Sequence, residues 1–287
     1  MLNKLKTYYD LTKPGIIRGN AITATGGFLF ATQGNFQVRT FLAMLVGICL
    51  VMASGCVFNN YIDRGIDKKM KRTKKRALVT GLVSIKSALL FATLLGLGGT
   101  WLLATYTNEL TAGVAVFGFI AYVILYGVAK RYSVHGTAVG SISGAVPPVV
   151  GYVAITNQLD IAASLLFLVL VCWQMPHFYA IAIFRMKEYA AASIPVLPIK
   201  KGILATKVQI ILYITVFSAV CFGFSALGYT GYTYLLVMAI LCLFWLRLAV
   251  KGLSATNDVA WARKVFGFSL VVLLVFSLMI SLDSFLP

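Results

Sequence analysis

The segment "FLAMLVGICLVMASGCVFNNYIDRGIDKKMKRTKKR" (residues 41–76) changes within a few residues from an apolar run to a dense group of charges. The apolar part continues to about residue 61, and a helix needs about 20 such residues to cross a bilayer. The charged part places Asp63 and Asp67 among eight Lys and Arg side chains. The sequence therefore predicts a membrane helix that ends, at one membrane surface, in two acids surrounded by cations.

The composition of the whole chain indicates a membrane protein. Of its 287 residues, 60% are hydrophobic and 11% are charged, and the mean hydropathy is +0.90. A soluble domain needs a more polar surface than this composition can supply. The chain has 25 Lys and Arg against 8 Asp and Glu, a net charge of +17. In this context the excess predicts loops beside anionic lipid and an anionic substrate, and we expect no nucleic-acid partner.

The hydropathy pattern predicts an all-α fold with nine transmembrane helices around a central cavity, in a single domain over residues 1–287. The fifth predicted helix is rich in Gly and contains Pro147-Pro148, so we expect it to be broken where it faces protein or a cavity. The predicted spans are 16–34, 41–61, 84–105, 110–129, 135–155, 161–184, 206–227, 230–250 and 265–283.

The distribution of Lys and Arg predicts the orientation in the membrane. With nine spans, every Lys and Arg except Arg39 falls on the side of the N-terminus. Because basic loops stay in the cytoplasm, the N-terminus is predicted to be cytoplasmic and the C-terminus periplasmic.

Asn59, Asp63 and Asp67 follow one another at intervals of four residues. On a helix this spacing stacks the three side chains on one face over about 12 Å. Amide and carboxylate oxygens suit Mg²⁺, which often shares its coordination shell with substrate phosphates. An isoprenyl diphosphate fits this combination of metal, cations and apolar cavity. Alternatively, the acids pair with Arg64 or Lys71, and the surrounding cations serve topology alone.

Five stretches of the sequence carry a resemblance to a known family: "LTKPGII" (11–17), "SGCVFNNYID" (54–63), "GAVPPVVGY" (144–152), "WQMPHFYAIAIFRMKEYAAASIPVLP" (173–198) and "WARKVFGFS" (261–269). They resemble the UbiA superfamily of intramembrane prenyltransferases, and in particular the members that farnesylate protoheme IX. The resemblance implies a bacterial inner-membrane prenyltransferase. It would transfer a farnesyl group from farnesyl diphosphate to the vinyl group of heme B, with water addition, giving heme O and diphosphate. A downstream terminal oxidase or heme A synthase would then be a partner. One departure is Gly65, where the family often has another acid.

The resemblance also suggests the roles of individual residues. Asn59, Asp63 and Asp67 would hold Mg²⁺ and form the catalytic centre. An intramembrane His is a functional candidate, although His177 could instead be a core histidine bonded to a carbonyl. Arg185 and Glu188 could either pair with each other or hold substrate groups. The residues assigned to diphosphate are Lys13, Arg72, Arg76 and Lys130, and those assigned to heme are Trp173, Gln174, His177, Tyr179, Arg185 and Glu188.

Two other functions compete with this hypothesis. A prenyltransferase acting on a quinone-type aromatic acceptor should carry a second DxxxD motif near residues 173–189, and the sequence has none there. A transporter should show inverted repeats and acids near mid-membrane, whereas the acids of this chain lie near the predicted helix ends.

The predicted topology can be tested with single cysteines introduced into a cysteine-free variant. Cysteines in the loops 68–83 and 188–203 should react with reagents added from the cytoplasmic side, and a cysteine at position 287 from the periplasmic side. Cytoplasmic labelling of position 287 would contradict the nine-helix arrangement.

Overall fold

The structure, a computed structural model, describes residues 2–286, and these form helices and short connections with no β-strand. A π-helical segment, Ala121–Tyr126, joins the sixth helix to the seventh. The helices are α1 Leu2–Leu11, α2 Pro14–Thr32, α3 Val38–Asp67, α4 Ala77–Thr80, α5 Ile85–Tyr106, α6 Glu109–Ile120, α7 Gly127–Tyr132, α8 Gly136–Gly144, α9 Val146–Thr156, α10 Ile161–Phe184, α11 Met186–Ala191, α12 Leu197–Ala226, α13 Tyr232–Val250 and α14 Asp258–Leu282.

Among the described residues, eight helical segments are long and apolar enough to cross a membrane. The chain is therefore a multi-pass membrane protein with an all-helical fold. The first predicted span exists as α2, but α2 is not one of the eight. It includes Asn20 and the exposed Arg18, and it packs against α3, α9 and α14. Contacts with other helices accommodate its buried polar side chains, such as Thr23. The ninth span and the positions of the termini stay predictions.

Helix α3 is longer than the predicted span 41–61. Its 30 residues correspond to about 45 Å at 1.5 Å per residue, which exceeds the roughly 30 Å of the hydrocarbon layer. The helix therefore continues past the apolar layer and includes Asp63 and Asp67 in its last turns. This confirms that the acidic motif is helical.

The predicted break in the fifth span is confirmed. Helix α8 ends at Gly144, α9 begins at Val146, and Pro147 and Pro148 lie in the first turn of α9. A proline N–H is not needed in the first turn of a helix, so the two prolines fit a helix start better than a helix interior. Both half-helices are bounded by protein: α8 contacts α10, and α9 contacts α2.

Helices α2 and α9 approach so closely that only glycine fits at their contact. A Cβ atom on Gly151 would lie 2.0 Å from the Ala24 carbonyl oxygen, and one on Gly27 would lie 2.0 Å from the Pro148 carbonyl oxygen. Small residues at such contacts allow van der Waals packing between backbones, which is a main source of helix association in membranes.

Side chains on the outside of the bundle are apolar. Trp101, Leu97, Leu243 and Phe244 are each more than half exposed, which is expected where helices face lipid. In contrast, most residues of α10 are buried, because it contacts α8, α9, α12 and α14. This central position makes α10 a wall of the interior.

Three short helices were not predicted from the sequence: α1, α4 and α11. They precede the first predicted span or lie in the loops that connect predicted spans. Helix α12 also begins earlier than the predicted 206–227, with a non-helical Gly202 at a φ of 87° inside it.

Replacement of Gly151 by Ala should destabilise the bundle, because the added methyl group would overlap the Ala24 carbonyl oxygen. Overpacking of this kind costs about 1–3 kcal/mol, measurable as a lower thermal midpoint in detergent. Gly113→Ala is the matched control, since a Cβ there meets nothing within 4 Å. Equal midpoints for the two variants would contradict the close approach of α2 and α9.

Candidate active site

A cavity of about 500 Å³ lies inside the bundle between α2, α3, α6, α8, α10 and α14. This volume is within the range of about 300–1,000 Å³ typical of small-molecule sites. Its surface is mainly apolar, with side chains such as Ile48, Val51, Met52 and Phe119. Lys130 supplies a positive charge to the lining, and α10 supplies polar side chains.

The three side chains of the NxxxDxxxD motif lie together at the end of α3. Asn59, Asp63 and Asp67 are all more than nine-tenths buried, although they are not part of the cavity lining. Isolated buried carboxylates are costly, so each acid should have a cationic partner.

Cations from separate parts of the chain contact each member of the motif. Lys130, at the end of α7, donates to Asp63 Oδ2, and Arg76 donates to Asp67 Oδ2 at 2.7 Å. Arg131 lies 3.5 Å from Asp63 Oδ1. The acids therefore do not pair with Arg64 or Lys71, the alternative considered from the sequence. Two carboxylates share three cations, which leaves excess positive charge for an anion.

Lys13 brings a fourth cation to the same place. Its Nζ donates to Asn59 Oδ1 at 2.8 Å, and burial lowers the pKa of Lys13 to about 8. Its backbone is left-handed, with φ 56° and ψ 63°. That conformation is uncommon for a residue with a Cβ atom, and residue 13 adopts it at the junction of α1 and α2.

Helix α10 contributes Trp173, Gln174 and His177 to the lining of the cavity. The Trp173 and His177 rings stack with centroids 4.8 Å apart. Both are anchored to Ser269 of α14: Trp173 Nε1 donates to its carbonyl oxygen at 2.7 Å, and His177 Nδ1 lies 2.8 Å from its hydroxyl. His177 is therefore bonded to a side chain rather than to a carbonyl, and it faces a cavity.

Comparison with known proteins identifies the family. The model of the UbiA prenyltransferase family matches residues 20–273. The chain belongs to the UbiA prenyltransferase family. A relative in Cronobacter sakazakii named protoheme IX farnesyltransferase is 52% identical over 99% of this chain and 96% of its own length. The chain is accordingly a prenyltransferase.

Solved structures of UbiA-like proteins share the fold. A structure described as digeranylgeranylglyceryl phosphate synthase superposes with a TM-score of 0.83 at 21% identity, covering 98% of this chain and 99% of that one. A UbiA homologue from Archaeoglobus fulgidus, bound to GPP and Mg²⁺, has a TM-score of 0.69 at 14% identity and covers 96% of this chain and 99% of its own.

The oxygens of the acidic motif fit a Mg²⁺ ion of the kind held by that UbiA homologue. Asp63 Oδ1 is buried and has no hydrogen-bond partner among the described residues, so a hard oxygen ligand is available. Within the described chain no three His, Cys, Asp or Glu side chains group to hold a metal. Two carboxylates and an amide leave Mg²⁺ an incomplete shell, which matches its preference for completing the shell with phosphates and water.

The remaining residues predicted from the UbiA resemblance are not part of the cavity lining. Tyr179 is buried on α10 against Tyr213 of α12, with ring centroids 6.3 Å apart. Arg185 and Glu188 pair with each other at 3.3 Å, each about one-third exposed. Neither arrangement places these three side chains beside His177 in the cavity lining.

Arg72 is exposed. Its charge nevertheless acts on Tyr189, which is part of the cavity lining. Burial raises the pKa of Tyr189, while the charges of Arg72 and Arg185 lower it and that of Glu188 raises it. The segments after α3 and α10 therefore lie close enough for their charges to act on Tyr189, a residue of the cavity lining.

Sequence reasoning missed three groups of residues at this UbiA site: Arg131, Ser269 and the pair Tyr122 and Tyr126. The two tyrosine rings stack at 5.8 Å in the π-helical segment and line the cavity. Lys130 Nζ lies 5.0 Å from the Tyr126 centroid. Residues 122, 126 and 130 are four residues apart, a spacing that makes side chains neighbours on a helix surface. This pattern is visible in the sequence.

The strained conformation of Lys13 gives a prediction about stability. Lys13→Gly and Lys13→Ala both remove the ammonium group, but only glycine adopts the left-handed region without strain. The Gly variant should therefore be the more stable by about 1 kcal/mol, seen as a higher thermal midpoint in detergent. Equal midpoints, or a more stable Ala variant, would contradict the left-handed backbone at residue 13.

Proposed function

We propose that the chain transfers the farnesyl group of farnesyl diphosphate to the vinyl group of protoheme IX (heme B), with addition of water, giving heme O and diphosphate. The relative from Cronobacter sakazakii supports this substrate pair by its name. The observation that carries the proposal is an apolar cavity between two unlike sites. Acids and cations lie beside Lys130, and Trp173, Gln174 and His177 form a separate part of the wall, on α10.

The diphosphate would bind at the cation cluster. Lys13, Arg76 and Lys130 already lie against the acidic motif, and the charge of Arg72 acts on Tyr189 of the cavity lining. Charge-assisted hydrogen bonds to a diphosphate are stronger than neutral ones. They become stronger still as negative charge moves onto the leaving diphosphate, so they stabilise the transition state more than the bound substrate.

Mg²⁺ would be held by Asn59, Asp63 and Asp67, and when bound it supplies positive charge that stabilises the departing diphosphate. The acids would keep the metal next to the surrounding cations, close to Lys130 of the cavity lining. The allylic C–O bond would then ionise beside this group of cations.

The apolar lining would then receive the farnesyl chain and shield the allylic cation. Ile48, Val51 and Phe119 carry no lone pair that could attack the cation, and the vinyl group of heme would be the electron-rich partner. The reaction needs no covalent enzyme intermediate. Exclusion of bulk water limits early hydrolysis of the cation.

The wall on α10 favours a porphyrin over the quinone-type aromatic acceptor. Aromatic and apolar side chains can pack against the face of a porphyrin, and an imidazole can bind its iron or contact its edge. Trp173 and His177 provide such a surface, whereas Gln174 is neutral and no acid of α10 lines the cavity in the described chain.

The proposal includes the membrane setting. We place the enzyme in the bacterial inner membrane as one domain with nine helices, a cytoplasmic N-terminus and a periplasmic C-terminus. The basic residues around Arg76 and Lys130 would then face cytoplasmic farnesyl diphosphate. Heme O would pass to a downstream heme A synthase or terminal oxidase.

Heme extracted from membranes with and without the protein tests this function, with mass spectrometry as the measurement. Heme O should form with the wild type and disappear on EDTA treatment, returning with Mg²⁺. Asp63→Asn should abolish product while the folded protein stays in the membrane, because a ligand charge is lost. Asp10→Asn, which removes an exposed acid of α1, is the control. Wild-type turnover from Asp63→Asn would contradict the metal assignment.

The two substrates should respond to different variants. Arg72→Ala should weaken farnesyl diphosphate binding and spare heme, and His177→Ala should do the reverse. Loss of the charge-assisted contact of Arg72 should cost about 1.5–3 kcal/mol, or roughly tenfold to a hundredfold in affinity for farnesyl diphosphate. Heme binding is followed by absorbance and farnesyl diphosphate by calorimetry with Mg²⁺ present.

Lys71→Ala and Tyr179→Phe are the matched controls for this pair. Lys71 is an exposed cation next to Arg72, and Tyr179 shares α10 with His177 but packs against Tyr213. Normal heme binding with lost farnesyl diphosphate binding in His177→Ala would show that the two sites are inverted.

A further inference from the structure

Gln174 presents a hydrogen-bond acceptor to the cavity because its donors are already used. Its Nε2 lies 3.1 Å from the Ser141 carbonyl oxygen and 2.9 Å from the Leu170 carbonyl oxygen. Carbonyl oxygens only accept, so both amide protons point at them and Oε1 is left free. Gly144 makes room for this oxygen, since a Cβ at residue 144 would lie 2.0 Å from Oε1.

His177 also presents a lone pair, because Ser269 fixes its tautomer. The Ser269 hydroxyl donates its one proton to the Phe266 carbonyl oxygen at 2.6 Å. It can then only accept from His177 Nδ1, which lies 2.8 Å away. A neutral imidazole that donates from Nδ1 has an unprotonated Nε2.

The two acceptors are neighbours on one face of α10. Gln174 and His177 are three residues apart, which places their Cβ atoms about 5–6 Å from each other. Both side chains are at least nine-tenths buried and both line the cavity. Neither Gln174 Oε1 nor His177 Nε2 has a hydrogen-bond partner in the described part of the chain.

Two adjacent acceptors without a donor match the hydrogen-bonding needs of one water molecule, which can donate to both. We propose that Gln174 and His177 bind the water that becomes the hydroxyl group of the product, and that Ser269 is a positioning residue for His177. This inference rests on the proposed function and assigns the water-addition step to particular side chains. With both protons engaged, the water directs its oxygen lone pairs into the cavity.

The step balances without another reactant. Departure of diphosphate takes the electron pair of the C–O bond, and the vinyl π electrons form the new bond to the farnesyl carbon. The remaining vinyl carbon is then a cation beside the porphyrin. The oxygen of the bound water forms a bond to this carbon, and a water proton moves to His177 Nε2, which later returns it to solvent.

A cation that is not captured by water loses a proton from the neighbouring carbon instead. The product is then an alkene that is lighter than heme O by one water. The ratio of hydroxylated to dehydrated product therefore reports on water capture separately from farnesyl transfer.

The experiment measures this product ratio by mass spectrometry, using the full-length protein with Mg²⁺, farnesyl diphosphate and saturating heme B. Gln174→Met and His177→Ala should each lower the ratio by about a hundredfold or more, the lower range of general acid–base contributions. Ser269→Ala should lower it less, because the imidazole remains. Ser143→Ala is the control: this cavity hydroxyl donates to the Gly140 carbonyl oxygen and its loss should not change the ratio.

Wild-type product ratios from both Gln174→Met and His177→Ala would overturn the inference. So would complete loss of both products in His177→Ala, together with a changed visible spectrum of bound heme and an unchanged ratio in Gln174→Met. That result would assign the Nε2 lone pair to iron ligation. Absence of any farnesylated heme from the wild type would instead reject the proposed function.

Discussion

The burial of two carboxylates at the end of α3 is the constraint on which the rest of the site depends. Asp63 and Asp67 are nearly inaccessible, and in an apolar bundle they persist only with cationic partners. Those partners come from the segment after α3 and from the end of α7, as Arg76 and Lys130. The need to neutralise the acids therefore draws separate elements to one place. It also brings more positive charge than the acids can balance, and that excess is what an anionic substrate requires.

The cavity between this cluster and α10 joins two kinds of chemistry that must remain separate. Ionisation of an allylic diphosphate needs charge, whereas the resulting cation needs surroundings without nucleophiles. The bundle meets both needs by keeping the cations at the end of α3 and the apolar side chains below them. The polar groups of α10 are restrained by bonds to their neighbours, as Gln174 is to the Ser141 carbonyl and His177 to Ser269. The hydrogen-bonding capacity that remains is directed into the cavity.

Much of the fold could be predicted from residue patterns because the bilayer restricts the alternatives to helices of a given length. The structure contains two features predicted in this way, the helix break at Pro147 and the helical acidic motif. The short helices α1, α4 and α11 were not predicted, because their sequences contain no long run of apolar residues. The resemblance assigns both Tyr179 and His177 to heme, but the two are two residues apart, about 200° around the helix, and only His177 lines the cavity. Helical periodicity alone was enough to separate the two side chains.

The sequence by itself determined the membrane location, the positions of most helices and the common face of Asn59, Asp63 and Asp67, because these depend on local hydropathy and helical spacing. The tertiary structure decided which cations meet the acids and which side chains restrain α10. Arg131 and Ser269 lie 68 and 92 residues along the chain from Asp63 and His177, and no local pattern connects them. Contacts of that kind arise only when helices pack. Close approaches such as Gly151 against Ala24 fix that packing.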